Sequence, residues 1–148
     1  MTIRLSTGAR TKFLNAGVKP TLDDGFIYLY AGTQPTSPDT GATAQLLGKV
    51  TVEADGTTGV TLDTAVAGVL SKAVAELWQF SGLADGQVGW FRFSEAADTP
   101  TATSTANARI DGSIGTAGGN LNISNTNIVT DAINTVDGFT IVMPGAAQ

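Results

Sequence analysis

V-G-W-F-R-F-S, residues 88–94, decides the fold class. Phe91 and Phe93 point to one side of an extended backbone, and Val88, Trp90 and Arg92 to the other, the two-residue period of a β-strand. Residues 26–31 (FIYLYA) repeat the pattern, with Ile27 and Leu29 on one side and Phe26, Tyr28 and Tyr30 on the other. Both strands are therefore apolar on two faces, so something must cover each face. The candidates for the second cover are an N-terminal helix carrying Phe13 and Leu14, or a neighbouring subunit.

Working outward, strands are expected at 46–53, 60–62, 73–80 and 107–114, and from about 135 to 143. Gly115 to Asn120 (GTAGGN) signals a hairpin returning through Leu121 and Ile123. Thr64 to Leu77 is rich in alanine, but Gly68 and several β-branched residues disfavour a helix there; a loop or short helical turn over 65–70 is expected. One helix is expected, from Ser6 as cap to Gly17 as terminator, with Ala9 and Phe13 on one face and Pro20 preventing continuation. About eight strand segments divided by Gly, Pro and Asn turns predict an all-β fold: a two-sheet antiparallel β-sandwich, jelly-roll-like, with a short N-terminal helix or arm. Residues 1–24 form that arm and 25–148 the sandwich domain.

Composition supports this class and removes several kinds of chemistry. The 148 residues include 22 Thr and 18 Gly, which suit pleated half-buried surface and turns respectively. With no Cys and no His, thiolate nucleophiles, disulfides, sulfur-ligated metals and histidine-based triads are excluded. Charged residues make up 14% of the chain against about 25% in an average domain. Residues 1–20 carry Arg4, Arg10, Lys12 and Lys19 with no acid, whereas the overall net charge is −5. A negative body argues against nucleic acid as a partner. The N-terminus has no apolar signal region and no segment is long enough to span a membrane, so a cytoplasmic origin is expected.

Carboxylates are the remaining acid–base groups. Glu76 and Glu95 lie near aromatics, but no spacing rule pairs them for glycoside hydrolysis, and a solvated role is the expectation. Gly112, Gly115, Gly118 and Gly119 match no phosphate-binding loop. Asp23 and Asp24 read as a turn rather than a calcium loop, and Asn122-Ile123-Ser124 lacks the secretory context that would make it a glycosylation acceptor. No catalytic residue, cofactor or metal is expected.

The segments RLSTGART (4–11), FIYLYAGTQPTSPDTGATAQLLGKVTV (26–52), GVLSKAVAELWQFSGLADGQVGWFRF (68–93), ARIDGSIGTAGGNLNISNTNIV (108–129) and VDGFTIVMP (136–144) together resemble a family of small all-β structural proteins of tailed bacteriophages. The resemblance implies a virion structural protein of the capsid cement or decoration type. Such a protein would bind the major capsid protein shell as a dimer or trimer, at the capsid surface, after synthesis in the host cytoplasm. Arg4, Arg10, Lys12, Phe13 and Trp90 are the expected capsid or subunit interface residues. The alternative is a neck, tail or receptor-contacting component, in which Trp78 or Trp90 would stack on sugar rings; a free-standing carbohydrate-binding module is a third reading.

Overall fold

The structure is a computed structural model and describes residues 3–143. The elements in chain order are β1 (Arg4–Leu5), α1 (Thr7–Asn15), α2 (Val18–Leu22), β2 (Phe26–Ala31), β3 (Leu46–Val52), β4 (Val69–Ser71), β5 (Trp78–Ser81), β6 (Gly86–Ser94), β7 (Arg109–Gly115), β8 (Leu121–Ile123), β9 (Asn127–Ile128) and β10 (Ile133–Val142). The all-β expectation holds, but the two facing sheets do not form. Seven strands close a single mixed barrel in the order β2-β3-β5-β10-β8-β7-β6 and back to β2. Closure leaves only β1, β4 and β9 as short additional strands, which limits unpaired edge.

Alternation works as the sequence demands on β2, where Ile27 and Leu29 are fully buried inside the barrel. On β6, Phe91 and Phe93 point inward, but Val88 joins them instead of sharing the side of Trp90. The cause is a register shift: Tyr30 pairs Trp90 while the next residue, Ala31, pairs Val88, which leaves Gly89 as an extra residue. A Cβ at Gly89 would lie 1.9 Å from the Gly32 carbonyl oxygen, so only glycine permits this bulge. A second bulge on β10, between Val136 and Gly138, turns both Val136 and Phe139 into the interior. Phe139 is the hub of that interior, with its ring centroid 5.6–6.3 Å from those of Phe93, Phe91 and Trp78.

Three further expectations change. The 115–120 turn does not make a hairpin, because Ile114 and Gly115 pair with Leu121 and Asn122 in parallel. The expected strand over 73–80 begins only at Trp78, and 60–62 contributes isolated bridges from Val60 and Leu62. The expected helix forms as α1, capped by Ser6 and ended before Gly17, at φ 102. A second helix follows, however: Pro20 does not prevent it, because it sits in the first turn of α2, where its missing N–H costs nothing.

The N-terminal segment is joined to the barrel rather than appended to it. Fully buried Ser6 caps α1 by accepting from Ala9 N, accepts also from Arg109 N on β7, and donates to Asn107 O. Ser6→Ala removes a cap and strands a buried β7 amide, so a loss of about 2 kcal/mol is expected in urea unfolding. A loss no larger than about 0.5 kcal/mol, that of an ordinary exposed substitution, would show that the joint carries no weight.

Candidate assembly surface

The outer face of β2, β6 and β7 carries Tyr30, Trp90, Arg92, Ser94, Arg109 and Asp111, all buried. Its cover is neither α1 nor a second subunit but two of the chain's own loops, 32–45 and 95–108. Arg92 and Asp111, on neighbouring strands and directly cross-paired, form a two-pronged ion pair at 2.7 and 2.8 Å. Arg92 also donates to the carbonyls of Thr40 and Pro100, one from each loop. Arg109 grips Asp98 in the same way and donates to Pro38 O, Thr99 O and Ala102 O. Each guanidinium fork thus satisfies one carboxylate and ties down backbone carbonyls of both loops, a geometry that an ammonium cannot reproduce. Trp90 lies beneath Ala42 and Ala44 of the first loop, stacked on Tyr30 at 4.6 Å between centroids.

Burial pushes the Tyr30 hydroxyl up to about 12. Burial also raises Asp111, which Arg92 draws back only in part. For Asp98 and Asp39 burial acts upward as well, but hydrogen bonds from Arg109 to the former and from Thr7 to the latter outweigh it and hold both below the usual aspartate value. Acids held below their unfolded value, about 3.9, contribute stability that is present above that pH and lost as the pH falls through the folded value. Asp111 has the opposite sign and offsets part of the loss. Without histidine, the unfolding midpoint should be level from about pH 5 to 8 and fall below about pH 4. Indole fluorescence during urea titrations at a series of pH values measures this, and a slope near pH 6 would contradict it.

With this face covered, the open apolar surface lies elsewhere. Gly17, Val18, Pro20, Ala65, Leu70, Ile141 and Met143 line a groove of about 310 Å³ between α2, the 65–70 turn and the end of β10. Met143 also borders an adjoining groove of about 300 Å³ lined by Leu5, Arg10, Phe13 and Leu14. Leu14 is 88% exposed and Met143 55%. The two grooves meet at Met143, so the exposed apolar side chains at this end of the barrel adjoin one another.

Of the five expected interface residues, Arg10 and Phe13 line the second groove, while Arg4 and Lys12 lie on the same N-terminal segment and reach the covering loops at Pro35 and Glu95. Arg4 is exposed and donates to Pro35 O, and Arg10 is exposed and donates to Thr7 Oγ1. Neither makes a direct ion pair among the described residues, but Arg10 lies near enough to Asp39, and Arg4 to Asp111, to favour the charged form of those carboxyls. Lys12 is paired with Glu95 at 2.6 Å, and Phe13 packs half-buried against the core. Trp90 is 1% exposed and Trp78 fully buried, so neither indole offers a stacking surface to a sugar.

The other groups weighed from the sequence have local occupations. Glu76 accepts from Thr61 N, Thr61 Oγ1 and Trp78 Nε1; Glu95 accepts from Lys12 and Ala108 N. Asp23 pairs with Lys19 and accepts from Leu62 N, and the Asn120 side-chain Oδ1 accepts from Ser113 N across the glycine-rich turn. Among the described residues no group of three or more Asp and Glu is placed to hold a metal ion, and no helix is long and apolar enough to cross a membrane. The two arginine clamps escaped sequence reasoning. Their one signal is Arg92 inside the strongly apolar 88–94 stretch and Arg109 at the start of the next expected strand, with Asp98 and Asp111 nearby in sequence. No protein-family model, curated protein or solved structure matches the chain.

Proposed function

We propose that this chain is a structural protein of a tailed-bacteriophage virion, a cement or decoration protein that binds and stabilises the shell of the major capsid protein. The sequence resemblance suggests the setting. The observation that carries an assembly role is the platform: a barrel whose outer aromatic face is sealed by its own loops leaves Leu5, Leu14 and Met143 open beside an exposed Arg10. Burying that surface at subunit boundaries would add its binding free energy to particle stability by mass action.

Deleting residues 2–19 would be a poor test, since it would remove the Ser6 joint and unsettle the barrel. Point changes on exposed positions are cleaner. Arg10→Glu with Leu14→Asp should leave the melting temperature within about 2 °C, because neither side chain packs inward. The same change should lower occupancy on shells stripped of the protein by about tenfold or more in cosedimentation. Equal occupancy for both proteins would overturn the assignment. Imaging of particles separates cement from the neck or tail alternative, since cement covers the whole shell and a neck or tail component sits at one vertex.

A further inference from the structure

The end of the barrel remote from the platform has an apolar tip of its own. Leu83 is 55% exposed, Val129 57% and Ile133 57%, and they are carried on two adjoining segments. Gly82 N donates to Ala132 O and Asp131 N to Gly82 O, so residues 81–85 and 129–133 run side by side. The acids of this tip are Asp85 and Asp131, both exposed, and it has no base. Asp85 accepts from Thr130 N and Thr130 Oγ1, which hold its carboxyl below the usual range and its charge in place.

β10 connects the two ends. It starts at Ile133 in the tip and reaches Val142 beside the platform groove, so the sites stand roughly 30 Å apart along a ten-residue strand. One end presents Leu5, Leu14 and Met143 with the exposed Arg10 in the groove lining and Arg4 on the same segment; the other presents Leu83, Val129 and Ile133 with Asp85 and Asp131. Each is apolar at its centre and bears charge opposite to the other's, whereas two tips, or two platforms, brought together would set like charges against each other.

We infer that copies of this chain associate head to tail, the platform groove of one taking the 81–85/129–133 tip of the next. Such a contact is heterologous, so it closes into a ring if the rotation between copies permits and otherwise extends into a filament. The inference deepens the proposed assembly role and rests on it, naming a second copy of the chain as the occupant of the groove.

The test is sedimentation of the full chain, free of shells, over a wide concentration range. The wild-type protein should self-associate, and more weakly as salt is raised. Arg10→Glu and Asp131→Lys should each weaken association by about tenfold, by setting like charges together, and the double variant should recover most of the loss because it restores opposite signs. Leu14→Asp, on a side chain that packs against nothing, supplies a variant whose fold is safe and should also weaken association. A wild-type chain that stays monomeric at millimolar concentration overturns the inference, as does association that none of these changes alters. If such a monomer still decorates shells, the groove belongs to the shell and the proposed function stands without the head-to-tail contact.

Discussion

Replacing Arg109 with alanine should destabilise the protein by about 3–5 kcal/mol, a large share of the 5–15 kcal/mol typical of a whole domain. The reason is what stays behind. Asp98, whose side chain is wholly inaccessible, would lose both prongs of its ion pair, and the carbonyls of Pro38, Thr99 and Ala102 would lose their donor. A buried carboxylate left with the neutral Asn107 amide in place of a guanidinium either takes up a proton or draws in water, and both loosen the two loops. Arg109→Lys should recover only a minor part, since one ammonium cannot span a carboxylate and three carbonyls in different directions. Urea unfolding measures the loss, and limited proteolysis should show new cleavage in 32–45 and 95–108. A loss under about 1 kcal/mol would mean that the clamp is ornamental and that the loops are held by packing alone.

Phe139→Ala should cost a similar amount, about 3–5 kcal/mol, by a different physical route. No charge is involved; the ring is 2% exposed and touches three other aromatic rings contributed by β5 and β6. Its removal forfeits the transfer free energy of the side chain and leaves a void that a closed barrel cannot collapse to fill, because every wall strand is hydrogen-bonded on both sides. Phe139→Leu should lose less, about 1–2 kcal/mol, by keeping most of the volume. Thermal unfolding of the two variants separates the cases: a drop for alanine no greater than that for leucine would show that the interior repacks.

The strands that could be read from the sequence were those with strong alternation. Residues 26–31 and 88–94 form β2 and β6, and the paired faces of β2 were assigned correctly because its period is unbroken. The side of Val88 was misassigned because a single bulged glycine inverts parity, and nothing local marks Gly89 apart from any other glycine. Closure was not legible either. A sandwich and a barrel ask the same alternation of each strand and differ only in which distant strands meet, here β6 with β7 and β8 with β10. The need for a second cover over Trp90 is legible, but the sequence points to a helix or a partner as its source rather than to a loop. Loop 32–45 looks too polar to shield an aromatic pair, and it does so because Arg92 and Arg109 reach its backbone carbonyls rather than its side chains. Of the candidate interface, the exposed positions Arg4 and Arg10 were legible from charge placement, while the groove beside them depends on Met143 arriving from the far end of the chain.

The place of β10 in the wall also sets a clock for folding. Among the described residues it is the last strand in sequence, yet β5 and β8 both wait for it, and β4 pairs with no other strand. On a ribosome, everything up to Ile128 could emerge and the cylinder would still stand open along one seam, with Trp78, Phe91 and Phe93 facing water. Nucleation must therefore join segments far apart in the chain, which places this protein among the slow folders of milliseconds to seconds. Until the seam shuts, the open stave is a template for the β10 of a neighbouring nascent chain, and strand exchange between copies is the accident this topology invites.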